Sequence, residues 1–377
     1  MLTKATIAFL RYAAGRQSKR ELRPTEIGSV AVVELARLGD VVSMLPAVTH
    51  LKSFFPNASV RLFVDDRYAP LVNALDIGAN AIGLTNTDSI SGLAKSVPTV
   101  REYKPDIACS ISPAKRNAFV TLACGAQFKV GYLTYIDTLT PYLQTTAVES
   151  WGFELRTRVS YSMENITERS LHVCRALGIP VVRETSPIRF HTHIQSTVTN
   201  KFEQRRVIPS RPYVVIHPFS GWEYRNWSLA NFKALANQIV NELEYDVVFV
   251  CTLEESDRLT MIKNEPGIHV FASNDLVESA VVIKNASLFI GNDSGPLHLA
   301  ATLGVQCIGL YGPASPKLTA PNSKNSNWHF VQVDCSPCEQ RVCIRPENPC
   351  MGLVEPQQVF VSVAGMLGVG QRSAAHA

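Results

Sequence analysis

From Ser29 onward one pattern keeps returning: a short β-branched run, a turn carrying Gly, Asp or Asn, and a stretch of helical period. That alternation marks parallel βαβ units, because a parallel partner strand is reached only through a crossover long enough to hold a helix. In the first half Val30–Leu35, Val60–Val64, Asp106–Ile111 and Lys129–Leu133 read as strands. Thr134 to Arg169 reads as irregular structure leading into a helix that runs to Leu177 and stops at Gly178. Pro187 to Arg211 carries little strand pattern. The alternation then resumes with strands at Tyr213–His217, Asp246–Cys251, Ser287–Gly291 and Val305–Tyr311. Between them lie a helix capped by Ser228 and reaching Leu243, one over Glu255–Lys263, one capped by Asn274 or Asp275 and ending near Asn285, and Pro296–Leu303 closed by Gly304.

At 377 residues the chain exceeds what one core usually fills, so the expected fold class is α/β with two Rossmann-like, doubly wound domains facing a central cleft. The expected boundaries are a basic extension over 1–28, a first domain over 29–190, a linker over 191–211, a second domain over 212–355, and a C-terminal helix and tail over 356–377. The helix at Pro356–Leu367 is expected to return onto the first domain. Hydrophobic residues at 46% and charged residues at 18% fit a well-packed globular protein and argue against disorder. A net charge of +4, spread along the chain, suggests no nucleic-acid track. Lys4, Arg11, Arg16, Lys19, Arg20 and Arg23, beside Ile7, Phe9, Leu10 and Tyr12, read either as a peripheral membrane-surface helix or as a solvated basic extension. No export signal and no membrane span are read, so the expected location is cytoplasmic, with the inner face of the membrane as an option.

Three loops carry the chemistry. Gly291-Asn292-Asp293-Ser294-Gly295-Pro296-Leu297-His298 lies between a strand and a helix and is built like an anion cradle. Gly295 permits close approach, Pro296 suits the first helical position, first-turn amides point at the guest, and Ser294 and His298 can donate. Asp293 caps the helix or orients donors in this reading. Pro218-Phe219-Ser220-Gly221, continuing to Arg225-Asn226-Trp227, is a second phosphate-type loop. There Ser220 and the Gly221 amide can bond phosphate oxygens, and Arg225 can meet charge growing on a leaving diphosphate. Glu34-Leu35-Ala36-Arg37-Leu38-Gly39-Asp40 leaves a strand through a glycine turn and sets Asp40 at a helix start, as general base or simply as a cap.

Arg37-Leu38-Gly39-Asp40-Val41-Val42 with Leu45-Pro46-Ala47, and Asp293-Ser294-Gly295-Pro296 with His298 and Tyr311-Gly312-Pro313, together resemble the heptosyltransferases of glycosyltransferase family nine, which have the GT-B fold. The resemblance implies inverting transfer of a heptose or related sugar from an ADP-sugar, ADP-heptose in the family, to a lipopolysaccharide core or similar glycan. It makes Asp40 the base on an acceptor side that includes Arg37 and Gly39. It assigns diphosphate contacts to Ser220, Gly221, Arg225, Ser294 and Gly295, the donor ribose to Glu254, and a backbone contact with the base to the region of Asn274. Where Arg225 stands, family members often carry lysine, and arginine changes the geometry at equal charge. No cofactor is required in this reading, and without an Asp-x-Asp pair in either phosphate loop no catalytic metal is implied.

Cysteines number nine, and Cys109, Cys124, Cys174, Cys251 and Cys307 sit in apolar surroundings as core thiols. Cys335, Cys338, Cys343 and Cys350, crowded among prolines, could hold zinc or an iron centre; free structural thiols are the preferred reading. A dinucleotide oxidoreductase is disfavoured, since no GxGxxG follows the first strand of either half. The nearer alternatives are a sugar-nucleotide epimerase and a non-catalytic nucleotide-sugar-binding protein.

Overall fold

The computed structural model describes residues 24–112, 114–135, 155–160, 165–182, 187–205, 209–262, 265–338, 343–345 and 349–368. The basic extension up to residue 23 and the tail from residue 369 lie outside the described residues. The chain divides into two compact units between Thr185 and Ser186.

In the N-terminal unit β1 (Ser29–Glu34), β2 (Ser59–Asp65), β3 (Asn80–Leu84), β4 (Ile107–Ser110), β5 (Phe128–Tyr135) and β6 (Leu155–Ser160) form a sheet of order β3-β2-β1-β4-β5-β6. Every pairing is parallel. The central strand β1 is nearly all buried, as a strand covered on both faces must be. The chain runs outward from β1 through β2 to β3 and then returns to the other side of β1 as β4, so the strand order reverses between β1 and β4. Crevices at the carboxyl ends of strands flanking such a reversal are where open α/β sheets hold ligands.

Six helices are described in this unit: α1 (Leu38–Ser43), α2 (Leu45–Phe54), α3 (Ala69–Ala74), α4 (Ile90–Glu102), α5 (Lys115–Ala123) and α6 (Ile166–Ala176). Pro46 splits the first helical stretch: it stands at the second position of α2, where its missing N–H costs no helical bond, and Met44 joins the two helices. Gly178, at φ +75, ends the chain's course after α6 as expected.

The C-terminal unit repeats the design. Strands β7 (Tyr213–His217), β8 (Asp246–Cys251), β9 (Ile268–Ala272), β10 (Leu288–Asn292), β11 (Cys307–Tyr311) and β12 (Ser326–Phe330) are ordered β12-β11-β10-β7-β8-β9, all parallel. Here the reversal falls between β7 and β10, whose carboxyl ends lead into Pro218 and Asp293. The described helices are α7 (Thr192–Arg205), α8 (Leu229–Leu243), α9 (Leu276–Lys284), α10 (Gly295–Thr302), α11 (Pro316–Thr319), α12 (Pro349–Gly352) and α13 (Pro356–Leu367).

Two expectations are corrected. Residues 191–211 are not a plain linker: α7 occupies most of that stretch and belongs to the C-terminal unit, where Phe202 packs edge-on against Phe271 of β9. The helix expected over Glu255–Lys263 is a single 3-10 turn at Ser256–Leu259 among the described residues. The terminal helix α13 packs on the C-terminal unit, burying Val359, Phe360 and Val363 in the core that holds Phe232 and Leu235 of α8.

Candidate functional site

In the N-terminal unit the strand reversal brings together residues far apart in sequence. Glu34, the last residue of β1, is fully buried. Its Oε1 accepts hydrogen bonds from the Ala36 amide at 2.9 Å and from Asn117 Nδ2 on α5 at 3.0 Å. Asn117 Oδ1 in turn accepts from the Leu35 amide at 2.8 Å, which locks the chain's exit from β1. Two residues into α1, Gly39 takes no left-handed conformation, so the expected glycine turn is an ordinary first helical turn. Arg37 is exposed and stands before that helix as its N-cap.

Asp40 closes the start of α1 and also lines a pocket. One oxygen, Oδ2, accepts from the Arg37 amide at 3.3 Å and so closes the helix start. The same carboxyl lines a small pocket of about 30 Å³ together with Glu34, Ser43, Ile111, Ser112, Arg169 and Ser170. Burial raises the Asp40 carboxyl above the usual range, against the Arg37 amide and the charges of Arg169, Arg37 and Arg116. Glu34 is pushed up to about 7, first by burial and then by the neighbouring Asp40 charge. A carboxyl with a raised proton affinity beside a small pocket suits general-base work.

In the C-terminal unit Asn292, the last residue of β10, ties the two phosphate-type loops together. Its Nδ2 donates to the Pro218 carbonyl at 2.7 Å and its Oδ1 accepts from the Trp227 amide at 3.0 Å, all within the interior. Next in sequence, Asp293 forms an ion pair with Arg225 at 2.9 Å, rather than capping the helix. Burial raises the Asp293 carboxyl, against the Arg225 charge and a bond from Thr319. The guanidinium also sits 4.5 Å over the ring of Trp222. Arg225 is therefore held in place from two sides before any ligand arrives, which favours preorganised charge stabilisation.

Ser294 is the N-cap residue of α10 yet makes no side-chain cap bond, and its buried hydroxyl has no partner among the described residues. The buried Tyr311 hydroxyl is likewise unpartnered there. Gly295 and Pro296 open the helix at its first two positions, as expected. His298 is buried and held down to about 4, first by burial and then by the Arg225 charge, so its imidazole is neutral near pH 7.

Ser220 is a partial correction: its hydroxyl faces the Trp222 carbonyl at 2.6 Å and Asn226 Oδ1 at 2.8 Å, so it shapes its own loop rather than standing open as a donor. Gly221 follows it, exposed. Glu254 and Asn274 lie on the same sheet edge, after β8 and β9. Asn274 Nδ2 donates to the exposed Glu254 carboxylate at 2.9 Å, and Asn274 Oδ1 accepts from the Leu253 amide at 2.9 Å. Glu255 instead closes its own turn by accepting from the Thr252 amide at 3.0 Å. That leaves Glu254 as the glutamate turned toward solvent. A larger cavity of about 310 Å³ flanks the same loop but is lined by Pro218, Phe219, Glu223, Asn226, Trp227 and Arg258 among others, and by none of Ser220, Arg225, Asp293 or Ser294. Arg225, Asp293 and Ser294 gather instead at the strand reversal.

Cys335 and Cys343 are half-buried, Cys338 is exposed, Cys350 is buried, and all four are free thiols. Burial, followed by the nearness of Cys338, Cys343 and Cys335, raises the Cys350 thiol. Among the described residues no group of three or more His, Cys, Asp or Glu is arranged to hold a metal.

Sequence reasoning missed Glu34, Arg169 and Asn292 as site residues. Two parallel six-stranded sheets, each with polar loops at its strand reversal, define a GT-B type of α/β protein. The profile of Glycosyltransferase family 9 (heptosyltransferase) matches residues 95–348, and the chain belongs to that family of glycosyltransferases. The lipopolysaccharide core heptosyltransferase OpsX of Haemophilus influenzae is 21% identical over 304 residues, covering 79% of this chain and 83% of its own. The fold matches the ADP-heptose lps heptosyltransferase II of E. coli at a TM-score of 0.71 and 18% identity, over 91% of this chain and 99% of the other. It also matches the glycosyl transferase family 9 structure from Veillonella parvula at a TM-score of 0.72 and 17% identity, over 92% and 98%.

Proposed function

We propose that the protein is an inverting heptosyltransferase that moves a heptose from ADP-heptose to a hydroxyl of a lipopolysaccharide-core acceptor. Asp40 takes the hydroxyl proton as the acceptor oxygen attacks the anomeric carbon. The bond to the diphosphate breaks in the same displacement, and Arg225, Ser294 and the amides at the start of α10 meet the charge on the departing group. The single observation that carries the reading is the Asp40 carboxyl: raised by burial, at a strand reversal, and lining a small pocket beside Arg169. Membership of the family supports the reaction class, and the names of OpsX and of the E. coli structure support lipopolysaccharide core and ADP-heptose. Glu254 is assigned to the donor ribose, and Asn274 holds it in place. The displacement needs neither covalent nucleophile nor metal, and the enzyme is placed at the inner face of the inner membrane, where its acceptor is built.

The test is ADP release from ADP-heptose with and without a heptose-deficient lipopolysaccharide acceptor. Release that depends on acceptor is expected; turnover of donor without acceptor would point to an epimerase, and binding without turnover to a non-catalytic role. Asp40→Asn should cut transfer by on the order of 10²–10⁴-fold while ADP affinity, read by calorimetry, stays within error of the parent.

A further inference from the structure

Glu34 is the buried titratable group that this mechanism leaves unused. It closes β1 at the strand reversal, fully buried, with Oε1 fixed by the Ala36 amide and Asn117 Nδ2. Its second oxygen, Oε2, is buried and has no hydrogen-bond partner among the described residues. The side chain lines the same small pocket as Asp40. An apolar residue would fill that place without leaving a carboxyl oxygen unmatched, so the acid is an energetic liability to folding. Such liabilities concentrate at functional sites.

We propose that Glu34 is a positioning residue for the reaction's base: the carboxyls of buried Glu34 and half-buried Asp40 form a pair that holds one proton between them, and ionisation of Glu34 makes Asp40 the stronger base. The proposal rests on the reading of Asp40 as the base. The acceptor's O–H bond breaks and its proton ends on the pair, while the electrons of the broken sugar–diphosphate bond leave with the diphosphate, so nothing is oxidised or reduced. The charges that face the pair are Arg37 from the cap of α1, Arg116 from α5 and Arg169 from α6. From β2, the residue beside Glu34 is the apolar Val64. Asn117, Ser43, Ser112 and Ser170 add uncharged polarity. Against that background Glu34 sits at about 7, so it changes charge within the working range of pH. Two carboxyls coupled this closely titrate as a unit in two steps.

Two measurements decide it. The first is the pH dependence of kcat/KM for the acceptor, in the parent and in Glu34→Gln. The parent should rise in two steps, the upper one near neutrality; Glu34→Gln should keep only the lower step and a plateau several-fold lower, with donor KM unchanged. A substitution that merely loosened packing would scale the whole profile without removing a step. The second is a 13C titration of the Glu34 carboxyl in the ligand-free protein, which needs no activity and no Glu34 variant. Its midpoint should lie near neutrality and move down in Asp40→Asn. A Glu34 carboxyl that titrates with ordinary carboxylates, or a Glu34→Gln profile superimposable on the parent's, overturns the proposal. Full transfer by Asp40→Asn with the coupled titration intact would instead remove Asp40 as base and, with it, Glu34's part in the reaction, while the pair itself stood.

Discussion

At the residue scale the decisive contact is the ion pair between Arg225 and Asp293, because the proposed function asks it to serve both folding and donor binding. Asp293 keeps only 5% of its side chain exposed, against 20% for Arg225. Removing the arginine strands a buried carboxylate, a loss that for buried pairs runs to about 3–5 kcal/mol and here falls toward the lower end because Arg225 meets solvent. Arg225→Ala should therefore lower both stability and ADP affinity. Adding Asp293→Asn should restore most of the stability in denaturant melts but none of the ADP affinity. Recovery of both would mean that Arg225 matters only to packing. Asp40, Arg225 and the 293–298 turn were legible in the sequence because Gly, Pro, Asp and Ser cluster directly after β-branched runs. Glu34 and Asn292 were not, since what marks them is a partner far along the chain: Asn117 for Glu34, 83 residues on, and Pro218 for Asn292, 74 residues back. Arg169 lies in a helix whose periodic pattern gives a buried arginine no distinguishing sign.

At the scale of elements, the phosphate-type loops owe their shape to Asn292, which satisfies one buried amide and one buried carbonyl at once. Asn292→Ala leaves both the Trp227 N–H and the Pro218 C=O without their partner, at about 1–3 kcal/mol for each buried group so stranded. ADP affinity should fall with stability although Asn292 is assigned no ligand contact; unchanged affinity in a destabilised variant would separate the loops' shape from binding. Trp227 itself is anchored from the far side, its Nε1 donating to the Val354 carbonyl at 2.8 Å, which ties the chain just before α13 to the loop. The sequence pattern located the interior strands β1, β2, β4, β5, β7, β8, β10 and β11 and the helices with explicit caps, such as α8 at Ser228 and α9 at Asp275. It passed over β3, β6, β9 and β12. Three of these, β3, β9 and β12, are sheet-edge strands with only partial burial along their length, so the continuous apolar run that betrays an interior strand is missing. β6 stands at the remaining edge, beyond a stretch without clear period.

At the scale of the whole molecule, the two units bury opposite kinds of titratable group and should answer acid in opposite ways. In the N-terminal unit Glu34, moved from 4.5 to about 7, and Asp40, also raised, bind protons more tightly folded than unfolded. Their contribution is complete at low pH and is lost as pH climbs through the folded values, roughly 3 kcal/mol at most for Glu34. Asp65, lowered although burial opposes it, adds the reverse slope only at pH values below the ordinary carboxylate range. In the C-terminal unit His298, moved from 6.5 to about 4, and His217 and His329, both lowered chiefly by burial, fold as neutral imidazoles. Their contribution is present above 6.5 and is lost as pH falls, roughly 2 kcal/mol for His298 by pH 5. The raised Asp293 opposes that trend, one carboxyl against three imidazoles. With Trp151→Phe the remaining tryptophans, Trp222, Trp227 and Trp328, all belong to the C-terminal unit and report its unfolding. Between pH 7 and pH 5 the urea midpoint seen by tryptophan fluorescence should fall, while the further transition seen by circular dichroism should rise. Two midpoints that shift together in one direction would show that the units unfold as one body and that these buried groups do not set its response to acid.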